Sequence, residues 1–222
     1  MATAVPGSVT RGSSIQAKHV VWVVFGLMTL FVLLTRDRTL LDARSFLRQR
    51  YAPIPWLMLA HGVPGALALF LGVFQFSSRL RQRYPQLHRV MGRIYVGCAV
   101  ISAPVAIAVA VALPLPTLLA ATTIQAFGWL VTIATALYCV RTGRIQQHRE
   151  WMMRSYPFAA MFVVVRVILA IPAIERTGPL GIATVVWSVL AFACFLPSFV
   201  IAWQALAASR RAARVRTMAA AD

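Results

Sequence analysis

Residues Ile94 to Leu113 read IYVGCAVISAPVAIAVAVAL, twenty residues without a charged side chain. A helix rises ~1.5 Å per residue, so a stretch of this length crosses the ~30 Å hydrocarbon core of a bilayer. Working outward, five more apolar stretches flank it, at Val20–Leu34, Ile54–Phe76, Thr117–Val140, Tyr156–Ile174 and Leu180–Ala205. With 60% hydrophobic and only 12% charged residues, the composition exceeds what a soluble domain of this size needs for a core. The chain reads as an all-α polytopic transmembrane bundle of about six spans, with a four-helix core from spans two to five. Residues 1–222 form a single integral membrane domain, and 206–222 are expected to be a basic cytoplasmic tail.

The first stretch is short and crosses only if the helix takes in Lys18, His19 and Thr35. Arg11 and Lys18 precede it as they would in a signal peptide, yet Thr35-Arg36-Asp37-Arg38 follows it in place of a small-residue cleavage pattern. It is therefore read as an uncleaved anchor. Cys98, Cys139 and Cys194 all fall within expected spans with no close pair, which disfavours structural disulfides and zinc motifs.

A net charge of +17 raises the question of nucleic acid, but the arginines cluster at span ends instead of along one face or in a basic domain. They report topology in a lipid bilayer, not a nucleic-acid partner. With the N-terminus inside, six arginines fall outside, five of them between Arg36 and Arg50, fifteen basic residues lie on the inner side, and Arg166 lies within a span. The positive-inside rule then implies a bacterial-type plasma membrane protein with both termini cytoplasmic. In the outer segment, Thr39-Leu40-Leu41-Asp42 resembles a capping box for a short surface helix that Pro53 and Pro55 would end; an irregular basic loop is the alternative.

Two passages echo each other: His88-Arg89 with Gly92, Arg93 and Tyr95, and His148-Arg149 with Trp151, Met152, Arg154, Ser155 and Tyr156. Each follows a basic loop and enters an apolar run, so both pairs sit at helix entrances on one side of the membrane. Two of the four histidines are used there. If spans three and five are neighbours, the imidazoles of His88 and His148 face each other, an arrangement suited to axial ligation of haem b in a helical bundle. Arg89, Arg93, Arg149 and Arg154 would then hold the propionates, with Tyr95 and Tyr156 beside them. His88 lies only ~9 Å before the apolar run at Ile94, so such a haem would be shallow, and the arginines suit lipid phosphates equally well. An interfacial or structural role, and a metal or quinone site, compete with haem at these positions.

A second set lies toward the other side. His61, Gly65, Ala68, Gly72 and Gln75 share one face of the second span, a small-residue groove that close packing would also explain. Arg166 is expected ~12 Å inside the fifth span, where an arginine is costly unless paired or hydrated and marks a functional candidate. His61 lies at similar depth, placed to accept a hydrogen bond from Arg166 or to share a carboxylate-bearing ligand with it. Thr122, Gln125, Trp129, Thr132 and Thr135 stripe the fourth span. Spans two, four and five are thus expected to meet around a polar axis containing His61, Arg166, Gln75 and Gln125, with hydrogen-bonded packing as the plain alternative.

These residues carry a resemblance. His61-Gly62, Gln75-Phe76 with Arg79, the His88 and His148 passages and Arg166 occur in the order and spacing of the predicted membrane protein family called domain of unknown function 2306. The resemblance covers about 54–166 and implies a bacterial-type multi-pass membrane protein of unassigned function. A looser similarity, to transmembrane b-type cytochromes, implies at most one haem, because span four offers Thr122, Thr123 and Gln125 opposite His61 where a histidine is required.

The function classes left open are a haem- or quinone-linked redox protein with a membrane redox partner, a non-enzymatic protein binding or moving a small ligand or lipid, and an assembly subunit of a membrane complex. Hydrolase or transferase chemistry is disfavoured. No acidic residue lies within an apolar core, no nucleophile-base set is visible, and no phosphate-binding glycine loop occurs.

Overall fold

The computed structural model describes residues 23–32, 34, 35, 42, 44, 46–113 and 117–219. Helix α1 spans Val23–Val32, followed by α2 (Phe46–Tyr51), α3 (Pro55–Gln75), α4 (Ser78–Arg83), α5 (Pro85–Ala112), α6 (Leu118–Arg141), α7 (Ile145–Ile168), α8 (Pro172–Glu175) and α9 (Gly178–Ala219). Among the described residues, α3, α5, α6, α7 and α9 are long and apolar enough to cross a membrane. Helix α1 lies within the first expected span, Val20–Leu34, and as described is shorter than a crossing requires; Lys18 and His19, by which that span was expected to be extended, lie outside the described residues.

Proline sets several of the boundaries. Pro55 and Pro85 open α3 and α5 from their first turns, where a missing N–H leaves no bond unmade. Gly143, at φ 75°, turns the chain tightly from α6 into α7. The short surface helix expected before span two is α2, ending ahead of Pro53. Of the expected capping box only Asp42 is described, and it accepts the Arg44 N–H at 2.9 Å.

Two expected spans change at their ends. The fifth was expected to run to Ile174, but α7 stops at Ile168 and a break leads to α8, which opens on Pro172. Arg166 therefore sits in the last turn of α7 and not two turns inside it. A cation there complements the partial negative charge of the helix C-terminus, which lowers the cost of placing it. The sixth expected span is α9, which continues without interruption to Ala219, so 206–219 of the expected basic tail is helical.

The packing follows a ring: α3 lies on α5, α5 on α6, α6 on α7, and α7 returns to α3, while α9 covers α7 and α6. This is the four-helix core expected from spans two to five. Spans three and five, α5 and α7, occupy diagonal corners and are not among its principal packed pairs, unlike the neighbours pictured from the sequence. Small residues line the inside, with Ala68, Ala99 and Ala136 at 0% exposure, while Phe127, Phe192, Phe195 and Phe199 face outward. Alanines let helix backbones approach closely in lipid, where expelling apolar surface from water gives no drive for helix association. The same closeness fits Gly72, where a Cβ would collide with the ring of Tyr156, and Gly128, where it would fall 2.8 Å from Cζ of Phe158.

Candidate functional site

Because α5 and α7 face each other across the ring, their inward side chains meet in its middle. Trp129 Nε1–H on α6 donates to the Tyr95 oxygen at 3.0 Å, and Tyr95 is 3.3 Å from Ser155 Oγ. Ser155 Oγ in turn donates to the carbonyl of Met152 at 3.0 Å. Since that hydroxyl proton is used, Tyr95 O–H donates to Ser155, and the chain runs Trp129 to Tyr95 to Ser155 with every member satisfied. Tyr95 and Ser155 are both fully buried. Tyr156 turns the other way, donating to the carbonyl of Leu69 at 3.2 Å and packing edge-on against Phe76. Tyr95 and Tyr156, the two tyrosines expected beside a cofactor, thus bond to α6 and α7 and to α3 respectively.

Beyond Trp129, toward the start of α3, a cavity of about 300 Å³ opens. Its polar lining includes Tyr51, His61, Thr122, Gln125 and Arg166, and the walls come from Gly62, Gly65, Ala103, Ala106, Phe158, Phe162 and other apolar residues. His61 is anchored by α5: its Nδ1 lies 3.1 Å from the carbonyl of Ser102, and Ser102 Oγ donates to the carbonyl of His61 at 2.9 Å. A carbonyl can only accept, so Nδ1 carries a proton and Nε2 is the remaining polar atom of the ring. Arg166 lies with its guanidinium carbon 3.9 Å over the Phe162 ring, within electrostatic reach of His61. Gln125 Nε2 donates to the carbonyl of Phe158 at 2.9 Å.

Of the expected polar set, His61, Gln125 and Arg166 line one cavity, whereas Gln75 lies at the other end of α3 and is not part of that lining. The polar axis expected from spans two, four and five also draws on span three. Ser102 is the residue sequence reasoning missed. Alone between apolar neighbours it reads as a helix-packing serine, and only its alignment with His61 across α3 and α5 gives it a role.

At the opposite, basic end, His148 Nδ1 donates to the carbonyl of Ala136 on α6 at 2.9 Å. His88 lies within electrostatic reach of His148, Arg81 and Arg89, but its Nδ1 is buried with no hydrogen-bond partner among the described residues. Arg154 bonds Ser198 on α9 at 3.3 Å and covers the face of Trp151, which turns it away from the ring's interior. Arg89, Arg93 and Arg149 are exposed. Among the described residues, no group of three or more His, Cys, Asp or Glu side chains is gathered in a way that could hold a metal ion.

A family model described as a predicted membrane protein, DUF2306, matches residues 58–206. The chain belongs to this family. The DUF2306 match runs beyond the stretch around 54–166 that carried the resemblance and into α9, so the helix covering α6 and α7 is part of the family unit. Apart from Tyr51 on α2, the cavity residues named above, the Tyr95 chain and the basic end lie on helices within or overlapping the match. No curated protein matches this DUF2306 chain, and no solved structure does.

Proposed function

We propose that this DUF2306 protein binds a small amphiphile in the cavity between α3, α5, α6 and α7, without chemistry of its own. The carrying observation is the cavity itself: a few convergent polar groups, His61, Gln125 and Arg166, within apolar walls, the usual makeup of a small-molecule site. The arginine fork donates, so the favoured headgroup accepts hydrogen bonds, as a carboxylate or the carbonyl of a quinone does, while His61 Nε2 is left an acceptor that a protonated acid or a quinol hydroxyl satisfies in addition. Alanine and phenylalanine walls suit an apolar body. At about 300 Å³ the volume admits a headgroup with a short tail.

Binding of a short-chain quinone and of a medium-chain fatty acid to the detergent-purified protein tests this. Ala106→Phe fills the cavity from α5, and Arg166→Gln removes the fork; each is expected to weaken binding about tenfold, or about 1.4 kcal/mol. Equal binding by wild type and Ala106→Phe would show that neither probe uses the cavity.

A second reading, haem between His88 and His148, is favoured by one contact. A ligating histidine usually donates its other ring N–H to a carbonyl or carboxylate, as His148 does to Ala136. The unpartnered Nδ1 of His88 does not meet that pattern, so the pair fits haem on one side only, and no step is drawn through it. Reduced and oxidised absorption spectra of protein made with ample haem decide the matter. A Soret band lost in both His88→Ala and His148→Ala supports haem, and no band in wild type excludes it.

A further inference from the structure

The basic end holds two buried side-chain nitrogens with no hydrogen-bond partner among the described residues, Gln75 Nε2 and His88 Nδ1. Buried polar atoms are nearly always satisfied, and an orphaned one calls for an explanation such as an absent water or ion. Gln75 is 8% exposed and is the last residue of α3. Its amide faces Gly92 on α5: a Cβ on Gly92 would lie 3.4 Å from Gln75 Oε1. His88 is one turn before Gly92 on the same face of α5, so the Gln75 side chain lies over the face of α5 that carries His88.

Arg81, on α4, reaches into the same place and donates to the carbonyl of Gln75 at 3.5 Å. Positive charge is concentrated around it. Arg81, Arg89 and His148 all act electrostatically on His88, and burial, followed by the charge of Arg149, pushes the Arg81 guanidinium below the usual arginine range. The groups acting on these two residues are all basic. The N-terminus of α5, which opens at Pro85, adds the positive end of a helix dipole to the same side.

We propose that Gln75, His88 and Arg81 form a binding site for a phosphate-type oxyanion, distinct from the cavity at the other end of the bundle. The donors come from three helices, α3, α5 and α4, and so approach from different directions. A tetrahedral oxyanion with several acceptor oxygens matches that arrangement better than a planar carboxylate does. The level agrees too: His88 lies ~9 Å before the apolar run of α5, at headgroup depth. An anion there would satisfy both orphans and offset the repulsion among the basic side chains. The same chemistry comes from the headgroup of an anionic phospholipid or from free phosphate.

The test compares melting of the full-length protein with and without each source. In detergent the probe is inorganic phosphate, with chloride at equal ionic strength as control. In nanodiscs it is phosphatidylglycerol mixed into phosphatidylcholine, against phosphatidylcholine alone. Wild type is expected to be stabilised by at least one source. Response to phosphate in detergent identifies the free ion; response only to phosphatidylglycerol identifies the lipid. Gln75→Leu removes an orphaned donor, so without anion it should melt no lower than wild type, yet lose most of the anion response. A packing role alone would change the first quantity and leave the second intact. Arg81→Gln, at a half-buried position on the periphery, provides the same comparison should Gln75→Leu misfold, with apparent affinity expected to fall about tenfold. No anion response in wild type, which would mean that water fills the site, overturns the proposal. So does an unchanged response in either folded variant.

Discussion

Replacing Tyr95 with phenylalanine removes one oxygen from the middle of the bundle and leaves the ring in place. Tyr95 is fully buried, and its hydroxyl accepts from Trp129 Nε1 at 3.0 Å and donates to Ser155 at 3.3 Å. The two partners fare differently. Ser155 still donates to the carbonyl of Met152, so it loses only a weak contact. Trp129 is buried and its Nε1–H loses its acceptor, and an orphaned buried donor costs about 1–3 kcal/mol. Interhelical hydrogen bonds in membranes average about 0.6 kcal/mol and reach about 1.7. Tyr95→Phe should therefore destabilise the protein by about 1–3 kcal/mol. Trp129→Phe costs packing volume but orphans nothing, because Tyr95 can still donate to Ser155. The double variant restores consistency, so the two changes should be less than additive by about 0.6–1.7 kcal/mol. Equilibrium unfolding of all four proteins in mixed micelles measures this coupling. A coupling energy within about 0.3 kcal/mol of zero would refute the inference that the two side chains are energetically joined.

Three further expectations come from close contacts. Gly72→Ala places a methyl group against the Tyr156 ring, and overpacking of this kind costs about 1–3 kcal/mol in the same unfolding assay; an unchanged midpoint would mean that α3 and α7 can part at no cost. Ser102→Ala removes the hydroxyl that donates to the carbonyl of His61 while the Ser102 carbonyl still holds Nδ1. It should cost about 0.6 kcal/mol and change ligand affinity in the cavity by less than about threefold, read by titration with the short-chain quinone. Gln125→Leu leaves the carbonyl of Phe158 without the donor it has at 2.9 Å; a loss of about 1–2 kcal/mol is expected, and a variant as stable as wild type contradicts the assigned bond.

The histidines show how far sequence spacing carries. Their placement at span entrances and in the second span was legible because helix periodicity and apolar run length depend on local order alone. What each ring bonds to was not. His61, read as a partner of Arg166 or of a ligand shared with it, bonds the Ser102 carbonyl through Nδ1 and lies within electrostatic reach of Arg166; His148, read as facing His88 if the helices are neighbours, bonds a backbone carbonyl of α6 through Nδ1 and lies within electrostatic reach of His88. Carbonyls carry no sequence signal, so a bond from a side chain to a distant backbone cannot be read from residue types. Arg166 makes the same point differently: its depth was inferred from an apolar run that continues past Ile168, while the helix breaks before Pro172 and leaves the arginine in a final turn.

The sequence by itself determined that this is a helical membrane protein of the DUF2306 family, which five segments among the described residues are long and apolar enough to cross, and where arginine and histidine gather, because hydrophobic length and charge bias act along the chain. Only the tertiary structure decided that α5 and α7 stand on a diagonal, that Tyr95 joins Trp129 to Ser155, that His61, Gln125 and Arg166 share a cavity from which Gln75 is separated, and that Gln75 and His88 each bury a nitrogen with no hydrogen-bond partner among the described residues. Those relations depend on which helix faces which, and helices of similar apolar character leave that choice to the fit of small residues at their contacts.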